Sequence, residues 1–137
     1  MKPLKHILVF TILIFSFGTF LSCEESHETE YTFFLVQIDS VLIPDNIVAK
    51  SPIDISFYGT ISNSGYTQFS HFSTEKLDNN LIIECWAKRD KNASIGPAWV
   101  TLLKGEKLRY SFESSGDYLL RIKQPDNSFF EEEIKIE

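Results

Sequence analysis

The sequence predicts an all-β fold, a single sandwich of about seven to nine strands that follows an apolar N-terminal segment and a short acidic stretch. From Tyr31 onward, runs rich in aromatic and β-branched residues are separated by turns of Gly, Pro, Asn and Asp. No segment shows an apolar stripe of helical period with caps at its ends, which disfavours helices. The residues from 31 to 137 are enough for one core and too few for two.

Residues 1–22 have the layout of a secretory signal peptide. Lys2 and Lys5 make a basic start, and the run 7–21 carries no charge. A membrane-spanning helix is the competing interpretation. Fifteen residues reach about 22 Å, short of the roughly 30 Å hydrocarbon core, and no Lys or Arg follows directly to stop transfer. We therefore expect a signal helix that is cleaved.

The end of this run, Phe20-Leu21-Ser22-Cys23, resembles the lipobox of bacterial lipoprotein signal peptides. The resemblance implies that Cys23 takes a diacylglycerol on its thiol, that the chain is cut just before it and that the new amino group is acylated. Ser22 is the small residue that the family needs there, whereas Phe20 and Leu21 depart from its usual residues. A plain signal peptide is the alternative. Two or more acyl chains give stable anchoring, so we expect a domain held at a membrane surface.

Residues 24–30, EESHETE, carry four glutamates and no apolar side chain. Such a segment buries too little surface to order itself, so with Cys23 it predicts a disordered tether over 23–30. An acidic stretch directly after the lipidated cysteine also resembles the surface-export signals of lipoproteins in the Bacteroidota. The expected location is the cell envelope, with the protein anchored in the outer membrane. The sequence does not decide between its periplasmic side and its surface-exposed side.

Charge and cysteine content narrow the possible partners. Without residues 1–22 the chain has 11 basic and 19 acidic side chains, a net charge of about −8. Nucleic acid and anionic lipid both need a basic patch, so we expect neither as an electrostatic partner.

A lipid on Cys23 would leave Cys85, the second of two cysteines, without a disulfide partner. We expect Cys85 as a buried small hydrophobe.

The domain at 31–137 is expected to contain strands at 31–39, 53–61, 66–76, 81–89, 98–103, 107–112, 117–123 and 129–136. Hairpin turns are expected at Lys104-Gly105-Glu106 and at Pro125-Asp126-Asn127. The run 81–89 alternates most cleanly, which predicts Cys85 on the core face and Trp86 on the opposite face.

The stretch SSGDYLL at 114–120 resembles the tyrosine corner of immunoglobulin-like domains. In that motif a Gly-x-Tyr step enters a late strand, and the Tyr hydroxyl caps backbone groups upstream. Tyr118, Leu120 and Ile122 are the expected inward residues. Leu120 stands where antibody-type domains have their second cysteine, so the resemblance implies a cysteine-free, immunoglobulin-like or fibronectin type III-like antiparallel sandwich.

Catalytic and metal chemistry find little support in the sequence. His71 is the one histidine of residues 31–137, and a buried Cys85 thiol is inert, so a Cys85–His71 dyad is disfavoured. One His and one buried Cys cannot make a structural zinc site. Asp117 and Asp126 could help to hold calcium but more simply serve turns. We expect no enzyme, no cofactor and no metal.

Aromatic residues remain as candidates for ligand binding. Trp86 is expected on an outer face, Trp99 follows Gly96-Pro97, and Tyr58 and Tyr66 flank the loop at 62–65. The alternative is that both tryptophans pack at the rim of the sandwich.

Two functional hypotheses follow from these candidates. The first is a non-catalytic binding or accessory module that recognises an envelope protein or a glycan through loops and an aromatic face. The alternative is a small envelope protease inhibitor that presents the loops at 62–65 and 91–99.

Overall fold

The computed structural model describes residues 29–63, 66–93 and 99–137. The predicted signal peptide, Cys23 and most of the predicted tether lie outside these residues. The described residues contain eight strands and no helix. The strands are β1 Tyr31–Leu35, β2 Gln37–Leu42, β3 Pro52–Ser62, β4 Thr67–Leu77, β5 Asn80–Asp90, β6 Thr101–Ser111, β7 Gly116–Lys123 and β8 Phe129–Ile136. They form two sheets, so the predicted all-β sandwich is confirmed.

Strand β5 lies at the centre of the larger sheet, which has five strands. Strand β4 pairs along one edge of β5, while β1 and β7 share the other edge, and β8 pairs with β7. The smaller sheet has the order β2-β3-β6. The pairs of named strands are antiparallel except β5 and β7. These two strands can run parallel because β6 crosses through the other sheet between them.

The predicted single strand at 31–39 is divided at Val36 between the two sheets. Its first part, β1, pairs with β5, and its second part, β2, pairs with β3. The Val36 N–H donates to the Cys85 carbonyl at 2.9 Å. The Ile38 N–H donates to the side-chain oxygen of Gln124 at 3.0 Å, and the Gln124 amide group donates to the Ile122 carbonyl at 3.3 Å. The buried Gln124 therefore satisfies a backbone donor where the chain changes sheet.

The predicted hairpin at 104–106 is wrong, because β6 is one continuous strand paired with β3. Phe57 pairs with Glu106 and Tyr58 pairs with Lys104, which leaves Gly105 as an extra residue. Gly105 has a φ of +82°, a conformation that glycine adopts without strain. A glycine between two apolar runs is compatible with a turn and with a β-bulge, and here it makes the bulge.

The predicted hairpin at 125–127 agrees with the structure, and β4 and β5 form a second hairpin. Strands β7 and β8 pair through the turn at 124–128, where Asn127 has a φ of +65°. Strands β4 and β5 pair through Asp78 and Asn79, with Asp78 at a φ of +53°. Asn and Asp tolerate this left-handed conformation better than most residues, which explains their positions.

The core consists of alternate residues of both sheets, as the pattern predicted. On β5 the buried side chains are Leu81, Ile83, Cys85 and Ala87. The tyrosine corner also forms: the buried Tyr118 hydroxyl donates to the Ser114 carbonyl at 3.1 Å. No buried side-chain N or O atom among the described residues lacks a hydrogen-bond partner. The core therefore carries no obvious polar penalty.

Gly59→Ala is expected to destabilise the protein strongly. A Cβ at Gly59 would overlap the carbonyl oxygen of Gln37 in the adjacent strand, and a backbone atom cannot move aside cheaply. Overpacking of this kind costs about 1 to 3 kcal/mol or more. Urea unfolding followed by circular dichroism measures the free energy of unfolding. Ser40→Ala, at an exposed position of the adjacent strand β2, is the control and is expected to change stability by less than about 0.5 kcal/mol. An equal loss in both variants would contradict the close approach at Gly59.

Gln124→Leu is expected to lower the free energy of unfolding by about 1 to 3 kcal/mol, because the Ile38 N–H would lose its partner. The same unfolding measurement applies. Gln68→Leu replaces an exposed glutamine of β4 and is expected to change stability by less than about 0.5 kcal/mol. If Gln124→Leu unfolded like the control, the hydrogen bond would not stabilise the change of sheet.

Candidate binding surface

Aromatic side chains of three adjacent strands meet on the outer face of the larger sheet. We call Tyr31, Phe33, His71 and Trp86 the aromatic face. Tyr31 and Phe33 alternate along β1, and the register places His71 of β4 directly beside Trp86 of β5. Leu35 lies beside Trp86 on the other edge of β5. The hairpin of β4 and β5 and the distant strand β1 therefore build one surface.

The rings of the aromatic face contact one another. The His71 and Trp86 rings lie 6.4 Å apart between centroids and are nearly parallel, at 14°. The Phe33 and His71 rings form a T-shaped pair, with their centroids 6.2 Å apart and their planes at 70°. The Lys88 ammonium lies 4.4 Å from the centre of the Tyr31 ring, within the range of a cation–π contact. These contacts keep the rings together on a face that the sandwich does not cover.

Hydrogen bonds orient the half-buried indole of Trp86. Its N–H donates to the Ser73 hydroxyl at 3.3 Å and to the Glu84 carboxylate at 3.2 Å. Ser73 in turn donates to Glu84 at 3.0 Å, and the Lys123 ammonium forms an ion pair with Glu84 at 2.9 Å. The hydrogen bond from Lys123, with smaller contributions from Ser73 and Trp86, lowers the pKa of Glu84 although burial opposes the shift. The carboxylate thus stays charged and holds the indole.

The four aromatic residues predicted from the sequence do not form one surface. Trp86 belongs to the aromatic face. Tyr66 lies at the end of that face, where it lines a cleft of about 420 Å³ with Tyr31 and Asp90. Tyr58 lies instead on the smaller sheet over the bulge at Gly105, and Trp99 precedes β6 as an exposed residue. The predicted set therefore divides between the two sheets.

Tyr31, Phe33 and His71 are the members of the aromatic face that the sequence candidates did not include. The alternation of Tyr31 and Phe33 in an expected strand was a usable signal for a shared face. For His71 the sequence suggests only a role as a base for Cys85. Its place beside Trp86 follows from the β4–β5 pairing, whose register runs without a shift from Leu77 to His71.

Cys85 and His71 lie on opposite faces of the larger sheet. Phe72 pairs with Cys85 while His71 pairs with Trp86, so the histidine points outward where the thiol points into the core. Burial, with a contribution from the negative charge of Glu106, raises the pKa of the Cys85 thiol to about 12. The pair therefore cannot act as a nucleophile and its base in this arrangement.

Within the described residues, no group of three or more His, Cys, Asp or Glu side chains is arranged to hold a metal ion. Asp126 accepts hydrogen bonds from the Ser128 N–H at 3.0 Å and its hydroxyl at 2.6 Å. The Asp117 carbonyl accepts one from Asn79 at 3.1 Å. Asp126 thus serves a turn, whereas Asp117 lies in β7, where its backbone carbonyl contacts the turn between β4 and β5. The described part of the chain also contains no helix long and apolar enough to cross a bilayer.

Comparison with known proteins gives no relative: no family model, no curated protein and no solved structure matches the chain.

The Glu84 network is expected to add about 1 kcal/mol or less to stability near pH 7, because the ion pair is partly exposed. Since the pKa of Glu84 is lowered below its ordinary 4.5 in the folded protein, this contribution is complete above pH 4.5 and is lost as the pH falls through the lowered pKa. Comparing the free energy of unfolding of Glu84→Gln and the unchanged protein should show a difference near pH 7 that decreases as the pH falls below 4.5.

The emission of Trp86 should shift over the same acidic range as its acceptor is protonated. Glu132→Gln is the control, since Glu132 is exposed on β8. If the difference in the free energy of unfolding between Glu84→Gln and the unchanged protein did not depend on pH, the charge of Glu84 would not be the cause of that difference.

Proposed function

We propose that the chain is a bacterial lipoprotein, of the type found in the Bacteroidota, whose β-sandwich acts as a non-catalytic binding or accessory module in the cell envelope. The resemblance of Phe20-Leu21-Ser22-Cys23 to a lipobox supports the anchor, with Cys23 as the lipidated residue. The sandwich, held at the outer membrane on its periplasmic or surface side, recognises a protein or a glycan through the aromatic face.

The exposure of the aromatic face is the observation that supports binding. Phe33 remains 51% exposed although it is a phenylalanine in a regular strand, and Tyr31 and His71 beside it are also exposed. An uncovered face of an antiparallel sheet normally carries polar side chains. A cluster of exposed rings is instead typical of contact sites, where aromatic side chains supply much of the binding energy.

The geometry of the aromatic face also favours recognition because the rings are already held in place. The Trp86 indole is hydrogen-bonded to Ser73 and Glu84, and His71 packs between Trp86 and Phe33. Binding to rings that are already held in place costs less side-chain entropy than binding to mobile rings. The face also lies on strands rather than on loops, which keeps its spacing constant.

The protease-inhibitor hypothesis depends on the loops at 62–65 and 91–99. Residues 64–65 and 94–98 lie outside the description, and no observation on the described residues favours an inhibitor. It therefore stays a prediction from the sequence.

Phe33→Ala and Trp86→Ala are each expected to weaken binding by about 2 kcal/mol, or roughly 30-fold, because each removes a ring from the contact. The protein, extracted from envelopes in detergent, serves as bait in envelope lysate for a protein partner and on an array of purified glycans for a sugar. Val48→Ala is the matched control, since Val48 is as exposed as Phe33, at 51%, and lies outside the aromatic face. Equal capture by all three variants, each folded by circular dichroism, would refute a role for the aromatic face.

Cys23→Ala is expected to abolish the incorporation of a labelled fatty acid and to release the protein from the membrane fraction, because the thiol that accepts the lipid is lost. Labelling of growing cells and fractionation of their envelopes measure both effects. Cys85→Ala is the control, since the buried Cys85 should neither take up lipid nor affect fractionation. Label that persists in Cys23→Ala would contradict the proposed anchor.

A further inference from the structure

Strand register defines the end of the sandwich at which the chain enters β1. Tyr31 starts β1 and pairs with Asp90, which ends β5. In the smaller sheet Ser62 ends β3 and pairs with Thr101, which starts β6. Only four residues separate the end of β3 from Thr67 at the start of β4, so all these positions lie at the same end. We call it the tether end, because the predicted tether precedes Tyr31.

Exposed apolar side chains are concentrated at the tether end. Of the ten large apolar residues that are exposed in the described part of the chain, six lie within two residues of the strand ends that define it. They are Tyr31, Phe33, Tyr66, Trp99, Val100 and Leu102. Trp99 and Val100, directly before β6, are 60% and 57% exposed. Such a concentration is typical of a contact surface rather than of scattered surface residues.

The length of the tether limits how far this end can lie from a lipid on Cys23. Glu30 is attached to the end of β5, since its carbonyl accepts a hydrogen bond from the Lys91 N–H at 2.9 Å and its carboxylate pairs with the Lys91 ammonium at 3.0 Å. Seven residue steps join Cys23 to Glu30, and even fully extended they span at most about 25 Å. Whatever path the chain takes, the tether end stays close to the headgroups.

The residue types at the tether end suit a bilayer interface. Trp and Tyr are enriched there because each combines an apolar ring with one polar group that can stay hydrated. Trp99 and Tyr66 supply such rings, and Val100 supplies a purely apolar contact. The charges of Glu30 and Lys91 neutralise each other. With a net charge near −8 after signal removal, attraction to anionic lipid does not contribute, so apolar insertion must supply the contact.

We infer that the tether end lies in the headgroup interface of the membrane that holds Cys23, with Trp99, Val100 and Tyr66 inserted into it. This inference rests on the proposed lipid anchor. The strands of the larger sheet then rise from the bilayer. Trp86, four residues along β5 from Asp90, lies about 14 Å further from the membrane. The upper part of the aromatic face is thereby held clear of the bilayer, where a partner can reach it from the side.

The test uses the lipidated protein in phosphatidylcholine vesicles in which part of the lipid is brominated near the headgroup end of its chains. The chain has two tryptophans, so Trp86→Phe leaves Trp99 as the only one. Brominated lipid should remove roughly half or more of the Trp99 emission, as expected for an interfacial ring, while iodide in the buffer should remove little. Adding phosphatidylserine to the vesicles should not increase the effect, because charge does not drive it.

Trp99→Phe is the matched control, because it leaves Trp86 alone above the membrane and should give no quenching by brominated lipid. If Trp86→Phe does not fold, subtracting the emission of Trp99→Phe from that of the unchanged protein gives the Trp99 signal. Flotation with the vesicles, measured on the same samples, reports the anchor separately.

Four results would overturn the inference, and only one of them would also overturn the proposed anchor. If the protein floats with the vesicles but iodide alone quenches Trp99, the interfacial contact is refuted and the anchor is not. Protein that does not float refutes both. Equal quenching of both tryptophans by brominated lipid refutes the upright orientation. Protection of Trp99 in native envelopes but not in these vesicles assigns it to a protein partner instead.

Discussion

The arrangement of the larger sheet depends on one strand, β5, which pairs with three others. Its core face of Leu81, Ile83, Cys85 and Ala87 is nearly or completely buried, so the register of β5 against the smaller sheet is strongly specified. A shift of one residue would bring Glu84 and Trp86 into the core, at a large cost in desolvation. Because β1, β4 and β7 all pair with β5, this constraint also decides which side chains meet on the outer face.

The outer face of β5 shows how the core determines which side chains are exposed on the opposite face. Because Cys85 is buried, its neighbours Glu84 and Trp86 point outward. There the Glu84 carboxylate bonds to Lys123 and Ser73, and the Trp86 indole N–H donates to Ser73. Strand β1 places its aromatic residues on the same face because it pairs with β5. After Val36 the chain crosses to the other sheet, where β2 pairs with β3. The change of sheet therefore has two consequences: it closes the sandwich with β2, and it places β1 beside Trp86.

The aromatic face and the tether end are neighbouring parts of one molecular arrangement. Tyr31 belongs to both, since it begins β1 and lies beside Tyr66 in the cleft at that end. A lipid at Cys23 and a membrane contact near Trp99 would together fix the direction of the strands relative to the bilayer. The sandwich would then present Trp86 and His71 laterally, at a height set by the length of β5 rather than by a flexible linker.

The alternation of apolar residues by itself determined the fold class, the core face of β5 and the burial of Cys85 and Tyr118, because alternation is a local property of an extended backbone. The signal for turns was also local, yet it could not distinguish a hairpin from a bulge at Gly105, since both need the same backbone freedom. Pairings between strands that are distant in sequence, such as β1 with β5 and β5 with β7, were decided only by the tertiary structure, because no local pattern specifies them. For that reason Trp86 was predictable as an outward residue, whereas the proximity of Phe33, which depends on the pairing of β1 with β5, was not.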